Sequence, residues 1–184
     1  MSPHSPDPAE RPPHPLAVSL IERLRGRDGL TVLEIGAGSG RNTRALTAAG
    51  FTVIGFNGPT APHAALSTHA LLHGTTASIG ELLKRISDGL SAEAPLFATF
   101  GSVNDARYGQ GSQIESHVYA PADGDERGIA HAFFDEARLR ALVGRYFHIE
   151  SLREVGVDNI AGTWAHREWP LEGAIHWFLI AEKR

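Results

Sequence analysis

A short glycine-rich segment constrains the fold of this chain more than any other feature of its sequence. The apolar run 30–33 (Leu-Thr-Val-Leu) leads into residues 34–40 (Glu-Ile-Gly-Ala-Gly-Ser-Gly), and the helix-like stretch 41–49 follows and ends at Gly50. Apolar residues before the glycines favour a buried parallel strand. Three glycines at alternate positions let the backbone pass close to a bound molecule. The segment therefore predicts a strand, a ligand-binding turn and a helix, in that order.

The spacing of the glycines separates two kinds of nucleotide cofactor. The dinucleotide fingerprint G-x-G-x-x-G requires its third glycine at position 41, where this chain has Arg41. Here the third glycine is Gly40, and Glu34 stands two residues before the first one. A carboxylate in that place suits the cationic amino and sulfonium groups of S-adenosylmethionine better than it suits a pyrophosphate. The pattern Glu34-x-Gly36-x-Gly38-x-Gly40 resembles the first motif of the class I S-adenosylmethionine-dependent methyltransferases.

Length and composition indicate one α/β domain without a bias toward charged partners. The chain has 184 residues, 42% of them hydrophobic, with a formal net charge of −4 and no cysteine. This charge gives no reason to expect nucleic acid or a membrane as a partner. The absence of cysteine excludes disulfides, thiolate metal sites and cysteine nucleophiles. We expect a cytoplasmic protein with a small-molecule partner, and the sequence does not indicate its oligomeric state.

The N-terminal residues are rich in proline and predict a tail before the domain. Six of the eleven prolines fall within residues 1–15, which disfavours both helix and sheet. We predict a disordered tail over 1–15 and a methyltransferase-like domain over 16–184. A short helix over 16–24 leads into the domain, since its apolar residues follow helical spacing.

The second strand is predicted at 51–56 and ends at Asn57, a position that the resemblance makes informative. In the methyltransferases, the residue that ends this strand is usually an acid that accepts hydrogen bonds from both ribose hydroxyls. Asn57 can accept a hydrogen bond but lacks the charge that strengthens it. We therefore expect weaker adenosine binding here.

The segment after the second strand departs from the family pattern. Residues 64–74 look like the family's fourth strand and the loop after it, yet a helix, a strand and another helix normally come before. Only residues 58–63 are available here, and a parallel crossover usually takes at least about 10 to 12 residues. One interpretation is an internal deletion after the second strand, which leaves the sheet without one edge strand. The other is that residues 62–73 form a helix between Pro62 and Gly74; we prefer the strand.

The rest of the chain fits a three-layer Rossmann-like sheet, mostly parallel, with an antiparallel strand pair at its C-terminal end. The pattern predicts a helix over 79–90, a strand over 95–101 and a helix over 133–143. It also predicts the final strands 147–152 and 174–181. The long polar connection 102–131 is predicted to select the substrate. The connection 162–170 carries two tryptophans that either cover the edge of the core or line a pocket.

The resemblance also implies roles for individual residues. It places the cofactor S-adenosylmethionine against Glu34, Gly36, Ala37, Gly38, Gly40, Asn42, Asn57, Ser67 and Thr68. His69 and His73 are predicted as catalytic proton acceptors, because histidine titrates near pH ~6.5. No metal site is predicted: the pair lacks the glutamate of an H-E-x-x-H motif, and Asp123, Asp125 and Glu126 lack the spacing of a calcium loop.

Methyl transfer to a small-molecule acceptor is the predicted function. Residues 41–43 (Arg-Asn-Thr) look like the tellurite-resistance type of methyltransferase, which favours such an acceptor. Two alternatives stay open. One is a non-catalytic remnant of the fold that binds cofactor weakly or not at all, and the other is a nicotinamide-dependent oxidoreductase.

Overall fold

The computed structural model describes residues 11–56, 58, 61–163 and 171–184. Four helices and nine strands are found in this part of the chain. In chain order they are α1 (Pro15–Leu24), β1 (Thr31–Ile35), α2 (Arg41–Ala48), β2 (Thr52–Ile54), β3 (Ala64–Ser67), α3 (Thr76–Gly89), β4 (Pro95–Ser102), β5 (Ser112–Glu115), β6 (Val118–Ala120), β7 (His131–Phe134), α4 (Glu136–Val143), β8 (Phe147–Gly156) and β9 (Ile175–Lys183).

The central sheet has the predicted architecture. Strands β2, β1, β3 and β4 are parallel neighbours in that order, β9 pairs antiparallel with β4, and β8 pairs antiparallel with β9. Strand β2 pairs only with β1 among the described residues and so forms one edge of the sheet. A mostly parallel sheet with a C-terminal antiparallel pair is therefore confirmed. The predicted loss of one edge strand concerns the edge that β2 forms.

Strand β4 carries two different partners along one of its edges. Its first half pairs with β3, where Leu96 aligns with Ala65, and its second half pairs with β7, where Gly101 aligns with Phe133. Strand β7 then continues antiparallel into β6 and β5. Strands β5 and β6 arise from the region predicted as a long connection, whereas β7 begins at the end of that connection and continues into the predicted helix. The three strands extend the sheet beyond the carboxyl end of β3.

The uncertain segment after β2 is a strand. Residues 64–67 are fully buried and pair with β1, from Val32 with Ala64 to Ile35 with Ser67. The chain reaches this position without a crossover helix in the described part of the linker. His63 fixes the end of the linker, because its backbone N–H donates to Thr31 O and its Nδ1 accepts from Thr31 N–H. The strand interpretation is confirmed, and the helix alternative over 62–73 is wrong.

Two other predicted boundaries need correction. The predicted helix over 133–143 begins only at Glu136, because the Asp135 side chain caps it by accepting from Arg138 N–H while the two phenylalanines before it are buried in β7. The predicted tail over 1–15 is described from residue 11, and there the chain packs on the domain. His14 is the N-cap of α1 and is fully buried, and Pro15 begins the helix.

Alternate strand residues face opposite layers of helices, which makes the protein three-layered. Val32, Leu66 and Phe97 pack in one apolar cluster with α1 and α2, whereas Leu33 and Ala65 pack in another with α3 and α4. Strands buried on both faces explain the continuous apolar runs in the sequence. Within the described part of the chain, no helix is both long enough and apolar enough to span a membrane.

Candidate cofactor and acceptor sites

The glycine turn lies at the carboxyl end of β1 and leaves an open cradle. Gly36, Gly38 and Gly40 all have positive φ, at 74°, 52° and 78°. A Cβ at Gly36 would lie 2.7 Å from the Ala70 Cβ, so only glycine fits there. At Gly38 and Gly40 an added Cβ would meet no atom of the described residues nearer than 3.9 Å. The turn is therefore not filled by the protein's own side chains at its last two glycines.

Glu34 is buried beneath this turn with one carboxylate oxygen unused. Its Oε2 accepts a hydrogen bond from Thr43 Oγ1, while Oε1 has no partner among the described residues. Burial raises the pKa of Glu34, although hydrogen bonds from Thr43 and Asn42 and the charge of Arg41 oppose that rise. A buried carboxylate oxygen without a partner is costly unless a donor or a cation completes it. The site therefore suits a positively charged ligand.

The end of β3 lies beside the turn and supplies the next predicted contacts. Asn42 Nδ2 donates to Thr68 Oγ1 at 2.9 Å, and Asn42 Oδ1 accepts from His14 N–H at 2.8 Å. These bonds tie α2 to the loop after β3 and to the N-terminal segment. The Ser67 Oγ is buried and has no hydrogen-bond partner in the described part of the chain, so its hydrogen-bonding capacity is unused there.

Two further cofactor contacts were predicted, at Ala37 and Asn57. Ala37 lies within the turn, where its carbonyl accepts from Gly40 N–H at 2.9 Å. Asn57, predicted to bind the ribose, lies outside the described residues, and the second half of the tryptophan-containing connection, 164–170, does so too.

The N-terminal segment contributes to the site, which sequence reasoning missed. Arg11 and Arg41 are both buried, and the pKa of Arg41 is lowered to about 10 by burial and by the positive charge of Arg11, against the effect of Glu34. The N-terminal segment therefore brings a second buried positive charge near enough to Arg41 to lower its pKa. The available signal was His14 followed by Pro15, since proline at the first helical position marks a helix start.

His69 lies in a cluster of three histidines rather than in an open pocket. Its ring meets those of His14 and His176 at centroid distances of 5.7 and 5.1 Å, and its backbone N–H donates to Thr99 Oγ1. Burial, with the neighbouring positive groups, holds the pKa of His69 well below 6.5. His69 is therefore neutral at pH 7 and a weak proton acceptor.

A separate cavity opens under the extension formed by β5, β6 and β7. It has a volume of about 280 Å³, and its lining includes Arg107, Tyr119, Glu126, His131, Phe133 and Leu171. All but the last of these belong to the region 102–134. The cavity combines aromatic surface with a few charged groups, which is typical of small-molecule sites.

His73 contacts two residues that line this cavity and that the sequence did not connect with it, Glu126 and His131. Its Nε2 is 3.3 Å from Glu126 Oε1, and His131 Nε2 is 3.1 Å from Glu126 Oε2. These two contacts hold the pKa of Glu126 far below its usual range. Sequence separation hid the cluster, because β7 brings His131 and the loop before it back to the end of β3.

The sheet order, the glycine turn at the end of β1 and the terminal antiparallel pair define the class I methyltransferase fold, as predicted. No protein-family model and no curated protein sequence matches the chain, but solved structures do. A methyltransferase of Methanosarcina mazei dependent on S-adenosylmethionine is 17% identical, with a TM-score of 0.71 over 89% of this chain and 96% of that one. At such identities the likeness establishes the fold.

Two further matching structures contain ligands. The 1,6-didemethyltoxoflavin-N1-methyltransferase of Burkholderia thailandensis, with 1,6-didemethyltoxoflavin and S-adenosylhomocysteine bound, is 18% identical with a TM-score of 0.62, covering 91% of this chain and 76% of that one. The magnesium protoporphyrin IX methyltransferase of Synechocystis, with S-adenosylmethionine bound, is 14% identical with a TM-score of 0.58, covering 91% and 78%. Proteins with this fold therefore act on chemically different acceptors.

Proposed function

We propose that this protein transfers a methyl group from S-adenosylmethionine to a small-molecule acceptor. The observation that carries the proposal is the turn after β1, where an open glycine backbone lies over a buried Glu34 oxygen that lacks a partner. S-adenosylmethionine presents cationic groups that complete such an oxygen. The cofactors bound in two structures of the same fold support this choice.

The surrounding residues fit the rest of the cofactor. Glu34 and Ser67 would hold its polar groups, and Gly38 and Gly40 would let it lie against the backbone. Asn57 would meet the ribose with an amide in place of an acid. The cofactor supplies an activated methyl group, so the protein mainly has to align donor and acceptor.

The acceptor would occupy the 280 Å³ cavity that region 102–134 builds. This volume suits a small molecule, near the lower end of the roughly 300–1,000 Å³ common for ligand pockets. An acceptor oxygen or nitrogen must lose a proton during the transfer. Of the two predicted histidines, His73 is better placed to receive it, because its partner Glu126 lines the cavity, whereas His69 is enclosed by other histidine rings.

The oxidoreductase alternative has weaker support. Arg41, at the position where the dinucleotide fingerprint needs glycine, is the first residue of α2 and is buried. A side chain there occupies the place where the pyrophosphate would approach the helix.

Calorimetric titration with S-adenosylhomocysteine tests the proposal and separates it from the non-catalytic remnant. Glu34→Gln is expected to weaken binding roughly 10-fold to 100-fold, because a hydrogen bond to a charged group contributes about 1.5–3 kcal/mol. Glu172→Gln, an exposed carboxylate outside the site, serves as the control and should bind as the unaltered protein does. Thermal unfolding of each variant shows that it is folded.

Two results would contradict the proposed methyl transfer or the role of the glycine turn in it. Folded, unaltered protein that gives no heat with millimolar S-adenosylhomocysteine would refute the proposal in favour of the remnant. Equal affinity in Glu34→Gln would refute the role assigned to the glycine turn.

A further inference from the structure

Three side chains from separate segments converge beside the acceptor cavity. His73 comes from the loop after β3, Glu126 from the connection between β6 and β7, and His131 from the start of β7. One ligating atom from each lies within 4.8 Å of those of the other two. His131 is 4% exposed. Glu126 and His131 also line the cavity.

The hydrogen bonding of His131 shows which ring nitrogen carries a proton and which one presents a lone pair to the Glu126 carboxylate. Its Nδ1 lies 2.8 Å from the Ile129 carbonyl oxygen. A carbonyl can only accept, so Nδ1 carries the proton. In a neutral ring Nε2 is then an acceptor, yet it lies 3.1 Å from Glu126 Oε2. Two electron-rich atoms at that distance require a positive charge between them, either a proton or a metal ion.

The same carboxylate has a second such contact. His73 Nε2 lies 3.3 Å from Glu126 Oε1, and the two histidine rings are 4.8 Å apart and nearly perpendicular. One carboxylate thus lies between two imidazole nitrogens, and His131 donates its other ring N–H to a backbone carbonyl, which is how histidine ligands are usually oriented for a metal.

The backbone holds the two histidines in place without help from a ligand. His73 and His131 form an isolated antiparallel bridge, with Ala132 N–H donating to Leu72 O at 2.8 Å and Gly74 N–H donating to Ala130 O at 2.7 Å. Bonds of roughly 2.0–2.2 Å to nitrogen and oxygen place tetrahedral ligand atoms about 3.3 Å apart. The two separations from Glu126, 3.3 and 3.1 Å, are close to that spacing, and all three ligand atoms lie within 4.8 Å of one another.

We propose that His73, Glu126 and His131 bind one divalent transition-metal ion whose open coordination position faces the acceptor cavity. Two imidazoles and a carboxylate favour zinc or a neighbouring first-row metal over magnesium and calcium, which prefer oxygen ligands throughout. Three protein ligands leave a position free. Because Glu126 and His131 line the cavity, that position lies on the cavity side.

The role of this site in catalysis rests on the proposed methyl transfer. In that reaction the acceptor heteroatom loses its proton to solvent or a base and forms a bond to the methyl carbon. The carbon–sulfur bond breaks, and the sulfonium leaves as a neutral thioether. A divalent cation beside the heteroatom favours its deprotonated form, as cations lower the pKa of a bound water. The metal ion would then replace His73 as the group that prepares the acceptor.

Cobalt(II) added to chelator-treated full-length protein tests the site directly, because its visible absorption reports the ligand set. One equivalent is expected to bind, and zinc is expected to displace it. Each of the variants Glu126→Gln and His131→Ala should weaken cobalt(II) binding by a factor of about 10 to 100 or more. The controls are His148→Ala and Glu172→Gln, two substitutions at exposed positions. Both variants should bind cobalt(II) as the unaltered protein does, which separates the site from scattered surface histidines. Circular dichroism shows whether each variant folds. If His131→Ala does not fold, the near-isosteric variant Glu126→Gln still decides the test.

The outcomes separate this proposal from the proposed function. Absence of stoichiometric binding by cobalt(II) and by zinc, or unchanged affinity in folded Glu126→Gln, would overturn the metal site even if S-adenosylhomocysteine binds. Stoichiometric metal binding that the variants abolish would support the site. If S-adenosylhomocysteine then fails to bind, the site stands and its role in methyl transfer is overturned.

Discussion

Acidification is expected to destabilise this fold between pH 7.5 and pH 5.5, because two fully buried histidines have to stay neutral in it. His14 and His176 have no exposed surface. Burial lowers the pKa of His176 to about 3 and the pKa of His14 well below 6.5, and neighbouring positive groups act in the same direction.

The hydrogen bonds of both rings agree with the neutral form. His14 Nδ1 accepts from Leu16 N–H at 3.1 Å and thereby caps α1, and Arg107 Nη2 lies 3.0 Å from His176 Nε2. Arginine can only donate, so His176 Nε2 has to accept. A proton on either nitrogen would remove the helix cap or face a guanidinium. Asp105 Oδ2 lies 3.9 Å from His176 Nε2, and the negative charge of Glu126 raises the pKa of His176, but burial and the positive charge of Arg107 outweigh it.

The magnitude follows from the difference in proton binding between the two states. In the unfolded chain a histidine titrates near pH ~6.5. Below that pH the unfolded state binds more protons than the folded one, so the free energy of unfolding falls by about 1.4 kcal/mol per pH unit and per histidine. From pH 7.5 to 5.5 each ring contributes about 1.4 kcal/mol, so His14 and His176 together contribute about 3 kcal/mol. His69, whose pKa is also held well below 6.5, adds to the loss in the same direction. That is a large share of the roughly 5–15 kcal/mol that stabilises an ordinary domain.

Urea unfolding at pH 7.5 and pH 5.5, at constant ionic strength, measures this loss. His176→Gln and His14→Asn each remove one titrating ring, and asparagine keeps a side chain that can cap the helix. Each variant should lose about 1.4 kcal/mol less over the interval than the unaltered protein, whatever its starting stability. His148→Gln, at an exposed position, should keep the full loss.

Two results would refute the reasoning. One is an unaltered protein whose free energy of unfolding agrees at the two pH values to within about 0.5 kcal/mol, the scale of the extrapolation error. The other is a loss of the same size in both single variants as in the unaltered protein. Either would mean that the buried rings bind protons without opening the fold.

Three further substitutions test the local structure by thermal unfolding. Gly36→Ala should destabilise more than Gly40→Ala by about 1–3 kcal/mol, because a methyl group at 36 would lie 2.7 Å from Ala70 Cβ and one at 40 would meet nothing within 4 Å; equal effects would contradict this packing. Asp135→Ala should cost about 1 kcal/mol by removing the cap of α4, and Asp135→Asn should recover most of it. Arg23→Gln should change the free energy of unfolding by less than about 1 kcal/mol, since its ion pair is partly exposed; a larger effect that persists in high salt would contradict this.

The local sequence pattern predicted most of the fold wherever the strands are buried on both faces of the sheet. The glycine turn, β3 and β4 lie in continuous apolar runs, and each was predicted in place. The short strand β5 was missed because all four of its residues are exposed, so it shows no apolar alternation. The last two residues of β7, Phe133 and Phe134, were assigned to the following helix, because two adjacent phenylalanines fit either element until the cap at Asp135 is recognised.

The candidate site was predictable only where its residues are consecutive. Glu34 and the glycines share one turn, so their spacing indicated their chemistry. His131 and Glu126 meet His73 through strand pairing at a separation of more than 50 residues, which no local pattern records. His14 was hidden by the prolines around it, because a proline-rich segment indicates disorder until its burial is known.

The two partners along one edge of β4 explain how the glycine turn and the 280 Å³ cavity are held relative to each other. The first half of the strand fixes β3, whose end carries Ser67, and the second half fixes β7, whose start carries His131. All eight residues of β4 are buried and its other edge is paired with β9, so the strand has little freedom to shift. A Cβ at Gly101 would lie 2.7 Å from the Ala132 carbonyl oxygen. The close pairing of β7 therefore depends on that glycine, and through it the position of the cavity is coupled to the sheet that forms the cradle.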